Sequence, residues 1–196
     1  HGVFDIAYLR CLPNMTVMAP MDNLELRNIL YTAQLNPQGP IAIRYPRGYS
    51  HNPDWEKPFT PIPMGRGRTL REGEKIAVLS LGPLGQEIKK AIPETHMPGA
   101  FGHYDFRFAK PLDTGLLGKI SGTYEHIVTV EDGSLAGGFG SAVLEYLADQ
   151  KTLIPVTRLG IPDAFIHQGT PEELYREVGL DPEGLRNTLN DLLDAQ

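Results

Sequence analysis

Arg44-Tyr45-Pro46-Arg47-Gly48 follows a short apolar run, Ile41-Ala42-Ile43, where a strand gives way to a loop. Ligands of open α/β sheets collect at the carboxyl ends of strands. Pro46 has a fixed φ and no N–H, so the strand stops there and Arg47 leaves from a rigid position. A guanidinium placed this way can grip a phosphate or carboxylate through two parallel hydrogen bonds. The same residue would serve equally well as a surface arginine paired with a nearby acid.

Gly137-Gly138-Phe139-Gly140 lies between a strand and a helix, the position of a dinucleotide loop. The spacing is not G-x-G-x-x-G, and no acid follows at the end of the next strand. Phe139 would also put bulk where a pyrophosphate needs bare backbone, so close packing of helix against strand or against another domain is the expected role. Just upstream, Glu131-Asp132 could act as a paired-acid base. Capping the glycine turn or bonding a neighbouring unit explains the pair better. His126 opens a strand and His103 adjoins Tyr104 in another, and both read as structural. His167 lies in a loop before a helix, its role open. Cys11 has no local His or Lys partner and reads as a small core residue.

The elements that must carry these residues alternate. Met15–Ala19 reads as a buried strand closed by Pro20. Asp22 looks like an N-cap, with Glu25 as its capping-box partner, for a helix that stops at Asn36-Pro37-Gln38-Gly39-Pro40. Ile41–Tyr45 completes a β-α-β unit. Five prolines over residues 46–65, around the lone Trp55, favour an extended connector. Arg68–Ser80 then reads as strand, turn, strand, with Glu72-Gly73-Glu74-Lys75 as the turn. Helices are expected over 86–92, 113–120, 141–148, 171–178 and 182–193, and strands over 100–108, 126–130 and 154–159. Thr170 and Asp181, each followed by Pro, mark the last two helix starts. The alternation predicts an α/β fold with a mostly parallel sheet.

With 41% hydrophobic and 21% charged residues, the composition is that of an ordinary globular protein. No apolar run reaches the ~18 residues of a membrane span. One cysteine excludes an internal disulfide and fits a reducing cytoplasm. The formal charge of -6 argues against general nucleic-acid binding. The six histidines form no metal-ligating pair, so a metal site built by this chain alone is not expected. The sequence opens at His1 rather than Met and carries no readable signal peptide, as expected of a segment that begins inside a longer protein.

His1-Gly2-Val3-Phe4-Asp5-Ile6-Ala7-Tyr8-Leu9-Arg10-Cys11-Leu12-Pro13-Asn14-Met15 resembles a stretch of the 1-deoxy-D-xylulose-5-phosphate synthases, a transketolase-like family of thiamine-diphosphate enzymes. Met18-Ala19-Pro20, Leu30-Tyr31-Thr32 and Gly39–Gly48 resemble it too, in order and spacing. Asp105–Asp113, Thr129–Asp132 with Gly137–Ser141, and Leu159–Asp163 are similar to the family's last domain. The resemblance implies the end of a pyrimidine-binding α/β domain (residues 1–48), a linker (49–66) and a transketolase C-terminal-like three-layer α/β/α domain (67–196).

The implied reaction condenses pyruvate with glyceraldehyde 3-phosphate, with loss of CO2, for isoprenoid precursor and thiamine or pyridoxal synthesis. Thiamine diphosphate with Mg2+ would be the electron sink of the full-length enzyme, a cytoplasmic homodimer. The family's arginine in Tyr-Pro-Arg-Gly binds the sugar phosphate, which carries over to Arg47. The substrate histidine of the family's Asp-Gly-x-Thr-His motif would fall one position before His1, so His1 is not given that role. The activating glutamate and the diphosphate clamp have no counterpart in this sequence. The resemblance therefore implies no bound cofactor and no activity for these 196 residues alone. Three rivals remain: a transketolase or 2-oxo acid dehydrogenase β-subunit fragment, a non-catalytic dimerisation module, and, more distantly, a nucleotide binder.

Overall fold

The computed structural model describes residues 2–35, 39–47 and 56–195. The helix stop at 36–38, the connector at 48–55 with Trp55, and His1 lie outside the described residues.

Eight strands and seven α-helices follow one another among the described residues. Helix α1 (Asp5–Arg10), strand β1 (Thr16–Met18), helix α2 (Asn23–Leu35) and strand β2 (Ile41–Ile43) come first. Then follow β3 (Arg68–Arg71), β4 (Ile76–Leu81), α3 (Leu84–Ala91), β5 (Phe101–Asp105) and β6 (Phe108–Lys110). The chain ends with α4 (Thr114–Ser121), β7 (His126–Ser134), α5 (Phe139–Asp149), β8 (Val156–Ile161), α6 (Pro171–Glu177) and α7 (Pro182–Asp194).

The larger sheet has the order β3-β5-β4-β7-β8, parallel except for β3. Central β4 is buried throughout and reads as a continuous apolar run, as a strand covered on both faces must. Its alternate residues supply two cores. Ala77, Leu79 and Leu81 face Leu117, Ile120, Phe139, Val143 and Leu147 of α4 and α5. Ile76 and Val78 face Ile88 of α3 and Leu185 and Leu189 of α7. Helices on both faces of a mostly parallel sheet make the expected three layers.

Two expectations about pairing are corrected. The first is that β3 and β4 form no hairpin, because β5 lies between them. The Glu-Gly-Glu-Lys segment instead crosses the amino end of β5, where Glu74 N–H bonds Gly99 O at 3.2 Å and Lys75 N–H bonds Ala100 O at 2.9 Å. A Cβ on Gly73 would sit 2.1 Å from Gly102 N, so only glycine permits the crossing.

The second is that residues 100–108 are not one strand. Arg107 adopts φ 58°, a left-handed conformation costing a non-glycine residue about 1–2 kcal/mol. There the chain leaves the large sheet, and β6 pairs antiparallel with β1 in a second sheet of order β2-β1-β6. Val17 meets Lys110 and Met18 meets Phe108 across that ladder, while β1 and β2 run parallel from Thr16↔Ile41 to Met18↔Ile43. The early β-α-β unit and the later domain are therefore joined by backbone.

Cys11 is also corrected, since it is exposed. It lies five residues after buried Ile6, about 140° round the helix at 100° per residue. That turns it toward the outward side with Phe4, Tyr8 and Leu12, all exposed.

The described part of the connector is extended but pinned along α2. Thr60 N–H bonds Asn28 Oδ1 at 3.1 Å, and Ile62 N–H bonds the buried Thr32 hydroxyl at 2.8 Å. Ile62 then packs with Met18, Ile29 and Phe108. Thr32→Val keeps the shape but strands the Ile62 N–H. It is expected to lower the unfolding free energy by about 1–3 kcal/mol, read from urea denaturation midpoints, and an unchanged midpoint would show that the strap is held elsewhere.

Candidate functional site

The carboxyl end of β2 brings Arg44 to Asp132 and Tyr175 in a polar seam. Arg44 follows Ile43, and its N–H extends the ladder to Met18 O at 2.8 Å. The Arg44 side chain is 11% exposed, with Nη1 2.8 Å from Asp132 Oδ2 and Nε 3.7 Å from Asp5 Oδ2. Tyr175 of α6 donates its hydroxyl to the same Asp132 oxygen at 3.0 Å. Burial, reinforced by the Asp132 charge, pushes the Tyr175 hydroxyl well above the usual tyrosine range, so it remains a donor. Arg47, three residues on, is exposed and enters no ion pair among the described residues.

Of Glu131 and Asp132, both structural expectations are realised, one by each residue. Glu131 is fully buried and accepts from Phe139 N–H at 2.7 Å and Gly140 N–H at 2.8 Å. Its own carboxylate thus occupies the anion site at the amino end of α5, where a nucleotide phosphate would bind. Desolvation raises the Glu131 pKa, and the two backbone donors pull against it. Phe139 is buried against Phe106, ring centroids 5.3 Å apart, and a Cβ on Gly138 would come within 2.3 Å of Glu131 Oε2. The glycine loop is packing, not a ligand cradle.

Arg10 of α1 clamps that loop from outside, donating to Gly137 O at 2.6 Å, Gly138 O at 2.9 Å and Glu145 Oε2 at 2.6 Å. A second seam centres on Glu25. Asp22 Oδ1 accepts from Glu25 N–H at 2.8 Å, as the cap reading expects. The Glu25 carboxylate does not return the capping-box bond. It accepts instead from Arg107 Nε at 2.7 Å and Arg68 Nη1 at 3.0 Å, because the two guanidiniums offer a buried carboxylate stronger donors than one backbone N–H.

Arg68 also holds Asp105 Oδ2 at 2.9 Å. Burial nevertheless pushes the Asp105 carboxyl up to about 6, against the pull of Arg68 and Arg107. None of Arg10, Arg44, Arg68 or Arg107 stands out in the sequence. The one available signal was an arginine closing an otherwise apolar strand, as at Arg44.

His103 and His126 are structural. His126 Nε2 lies 2.9 Å from Thr157 Oγ1, and burial lowers its pKa. His103 Nε2 lies 2.8 Å from buried Ser80 Oγ. Desolvation, with Lys89 and Arg68 nearby, lowers its pKa to about 3. His167 is exposed.

His103 stays neutral in the fold while the unfolded chain protonates below its ordinary value of 6.5. Its contribution is therefore complete above pH 6.5 and lost as pH falls toward 3. Asp105, whose carboxyl is raised, acts oppositely between about 6 and 3.8 and masks much of that loss. His103→Gln removes the histidine term alone. Between pH 6 and 4, the stability of the protein relative to this variant is expected to fall by about 1.4 kcal/mol per pH unit as pH drops. Parallel pH–stability curves from denaturant titration would refute the assignment.

Comparison with known proteins accounts for both halves of the chain. The transketolase pyrimidine binding domain matches residues 1–51, and the transketolase C-terminal domain matches residues 65–185. The 1-deoxy-D-xylulose-5-phosphate synthase of Bacteroides thetaiotaomicron is 49% identical over 191 residues, covering 96% of this chain and 30% of that protein. The synthase of Chlorobaculum tepidum is 47% identical over 189 residues, covering 94% and 29%. The chain thus spans about 30% of the length of these relatives and aligns with their C-terminal part. A solved structure described as a split gene transketolase, inactive beta4 tetramer, superposes with a TM-score of 0.79 at 30% identity, over 96% of this chain and 60% of that one. With its C-terminal-domain match across residues 65–185, on a three-layer α/β/α unit, the chain belongs to the transketolase C-terminal domain family.

Proposed function

We propose that this chain is the C-terminal part of a 1-deoxy-D-xylulose-5-phosphate synthase and that Arg47 grips the phosphate of glyceraldehyde 3-phosphate in the condensation with pyruvate. The observation that carries the reading is Arg47 itself: exposed at the carboxyl end of a parallel strand and outside every ion pair among the described residues. Its planar donors match a phosphate in two parallel hydrogen bonds. On this reading residues 1–48 close a pyrimidine-binding domain, 49–66 link it, and 67–196 form the last domain.

The described residues include no group of three His, Cys, Asp or Glu side chains able to hold a metal ion. The reading assigns thiamine diphosphate and Mg2+ to other parts of a full-length synthase. It also takes that enzyme as a cytoplasmic homodimer. No helix among the described residues is long and apolar enough to cross a membrane. The solved relative's description as an inactive tetramer of β chains supports the expectation that these residues alone are inactive.

The test measures CO2 release in the full-length synthase carrying this chain. Arg47→Ala is expected to raise KM for glyceraldehyde 3-phosphate about 10- to 100-fold, the equivalent of a charge-assisted bond of about 1.5–3 kcal/mol, with pyruvate KM little changed. An unaltered KM would sink the assignment. The 196-residue chain alone should show no turnover under the same conditions.

A further inference from the structure

The Arg44–Asp132–Tyr175 cluster does work that neither the pyrimidine-domain segment nor the last domain could do alone. We infer that Asp132 and Tyr175 are positioning residues for Arg47, acting through Arg44 to set where the Arg47 guanidinium meets a phosphorylated aldehyde. The inference rests on the phosphate-gripping reading of Arg47.

Geometry carries it. Arg44 is held at two levels, its backbone N–H to Met18 O at 2.8 Å and its guanidinium to Asp132 at 2.8 Å. Between Arg44 and Arg47 lie only Tyr45 and Pro46. Pro46 has a fixed φ, and Tyr45 before it is restricted to extended conformations. Few soft dihedrals therefore separate the anchored arginine from the exposed one. Asp132 lies on β7, which pairs with the central strand β4 of the large sheet. Tyr175 spends its hydroxyl on the Asp132 oxygen that Arg44 uses, fixing that carboxylate's rotamer. The last domain thereby reaches the substrate-gripping loop without contributing an atom to the substrate.

Bidentate recognition is sensitive to such placement, since a displacement of about 1 Å can cost as much as 10²-fold. A purely structural role would lower stability or kcat, or weaken all acceptors alike. A positioning role acts on the phosphorylated acceptor alone.

The experiment compares D-glyceraldehyde 3-phosphate with unphosphorylated glyceraldehyde as acceptors for the full-length synthase. Asp132→Asn, Tyr175→Phe, Arg47→Ala and the Asp132→Asn/Arg47→Ala double variant are assayed together. Asp132→Asn is expected to raise KM for the phosphorylated acceptor about tenfold beyond any change with glyceraldehyde, with kcat within about twofold. Tyr175→Phe, which removes one oxygen and folds more readily, should show the same selectivity at smaller size, by about threefold.

In the double variant the Asp132 effect should vanish, because no Arg47 remains to misplace. Should Arg47→Ala impair only the phosphorylated acceptor while Asp132→Asn and Tyr175→Phe leave the acceptor ratio unchanged, the positioning role is overturned and the phosphate reading stands. Equal losses with both acceptors, or full additivity in the double variant, also overturn it. Failure of Arg47→Ala to discriminate between the acceptors overturns both.

Discussion

A carboxylate buried as deeply as Glu25, 4% exposed, must find cations, because removing an ionised acid from water without a partner costs several kcal/mol. The cations that reach it, Arg68 and Arg107, belong to β3 and to the turn between β5 and β6. Replacing such a cluster by apolar residues is often neutral, but removing one member leaves an uncompensated charge and costs about 3–5 kcal/mol. The cluster therefore specifies more than it stabilises. It admits one placement of α2 against the large sheet, and that placement determines where β1 and β2 run. Arg107 holds its left-handed backbone where its carbonyl accepts Ala19 N–H and its guanidinium meets Glu25. The turn that sends β6 into the second sheet is thus locked by the same salt bridge.

Acids and bases at the ends of the strands are spent on joining elements. Glu131 fills the amino end of α5, Asp113 caps α4 while accepting from Gly67 N–H at 2.9 Å, and Asp132 takes Arg44. In many α/β proteins these carboxyl-edge positions receive a ligand. Here the edge of the large sheet is covered by α1 and β1, and the protein's own carboxylates stand where a ligand's charges would be. That explains how a glycine-rich strand-to-helix turn occurs without a nucleotide. Its glycines permit the close approach of Glu131 and of Arg158 rather than of a pyrophosphate.

Local features were legible from the sequence and long-range ones were not. The Thr170 and Asp181 caps are as expected, since each depends on residues three apart; Thr170 also closes a capping box with Glu173. Strand β4 is legible from its unbroken apolar run. The insertion of β5 between β3 and β4 is not, because a turn of polar residues looks alike whether its strands pair directly or across a third. The division of residues 101–110 between two sheets depends on β1, roughly ninety positions earlier in the chain. At the site, Arg47 could be singled out from the strand end and Pro46. Asp132 and Tyr175 could not be linked to it, since nothing in one dimension brings positions 44, 132 and 175 together.

Two arginines three residues apart thus have opposite fates on a chain of net charge -6. Arg44 is largely covered, its charge compensated by Asp132 and Asp5 and its Nη1 hydrogen-bonded to Asp132. A phosphate meeting its Nη1 would have to displace Asp132, the acceptor of the Tyr175 hydroxyl. Arg47 carries no such partner among the described residues and faces solvent. Against an acidic background that would otherwise repel anions, pairing one guanidinium internally leaves the next as the local positive charge. Rigidity and availability are separated between the two, and the proline between them keeps the available arginine bound to the geometry of the rigid one.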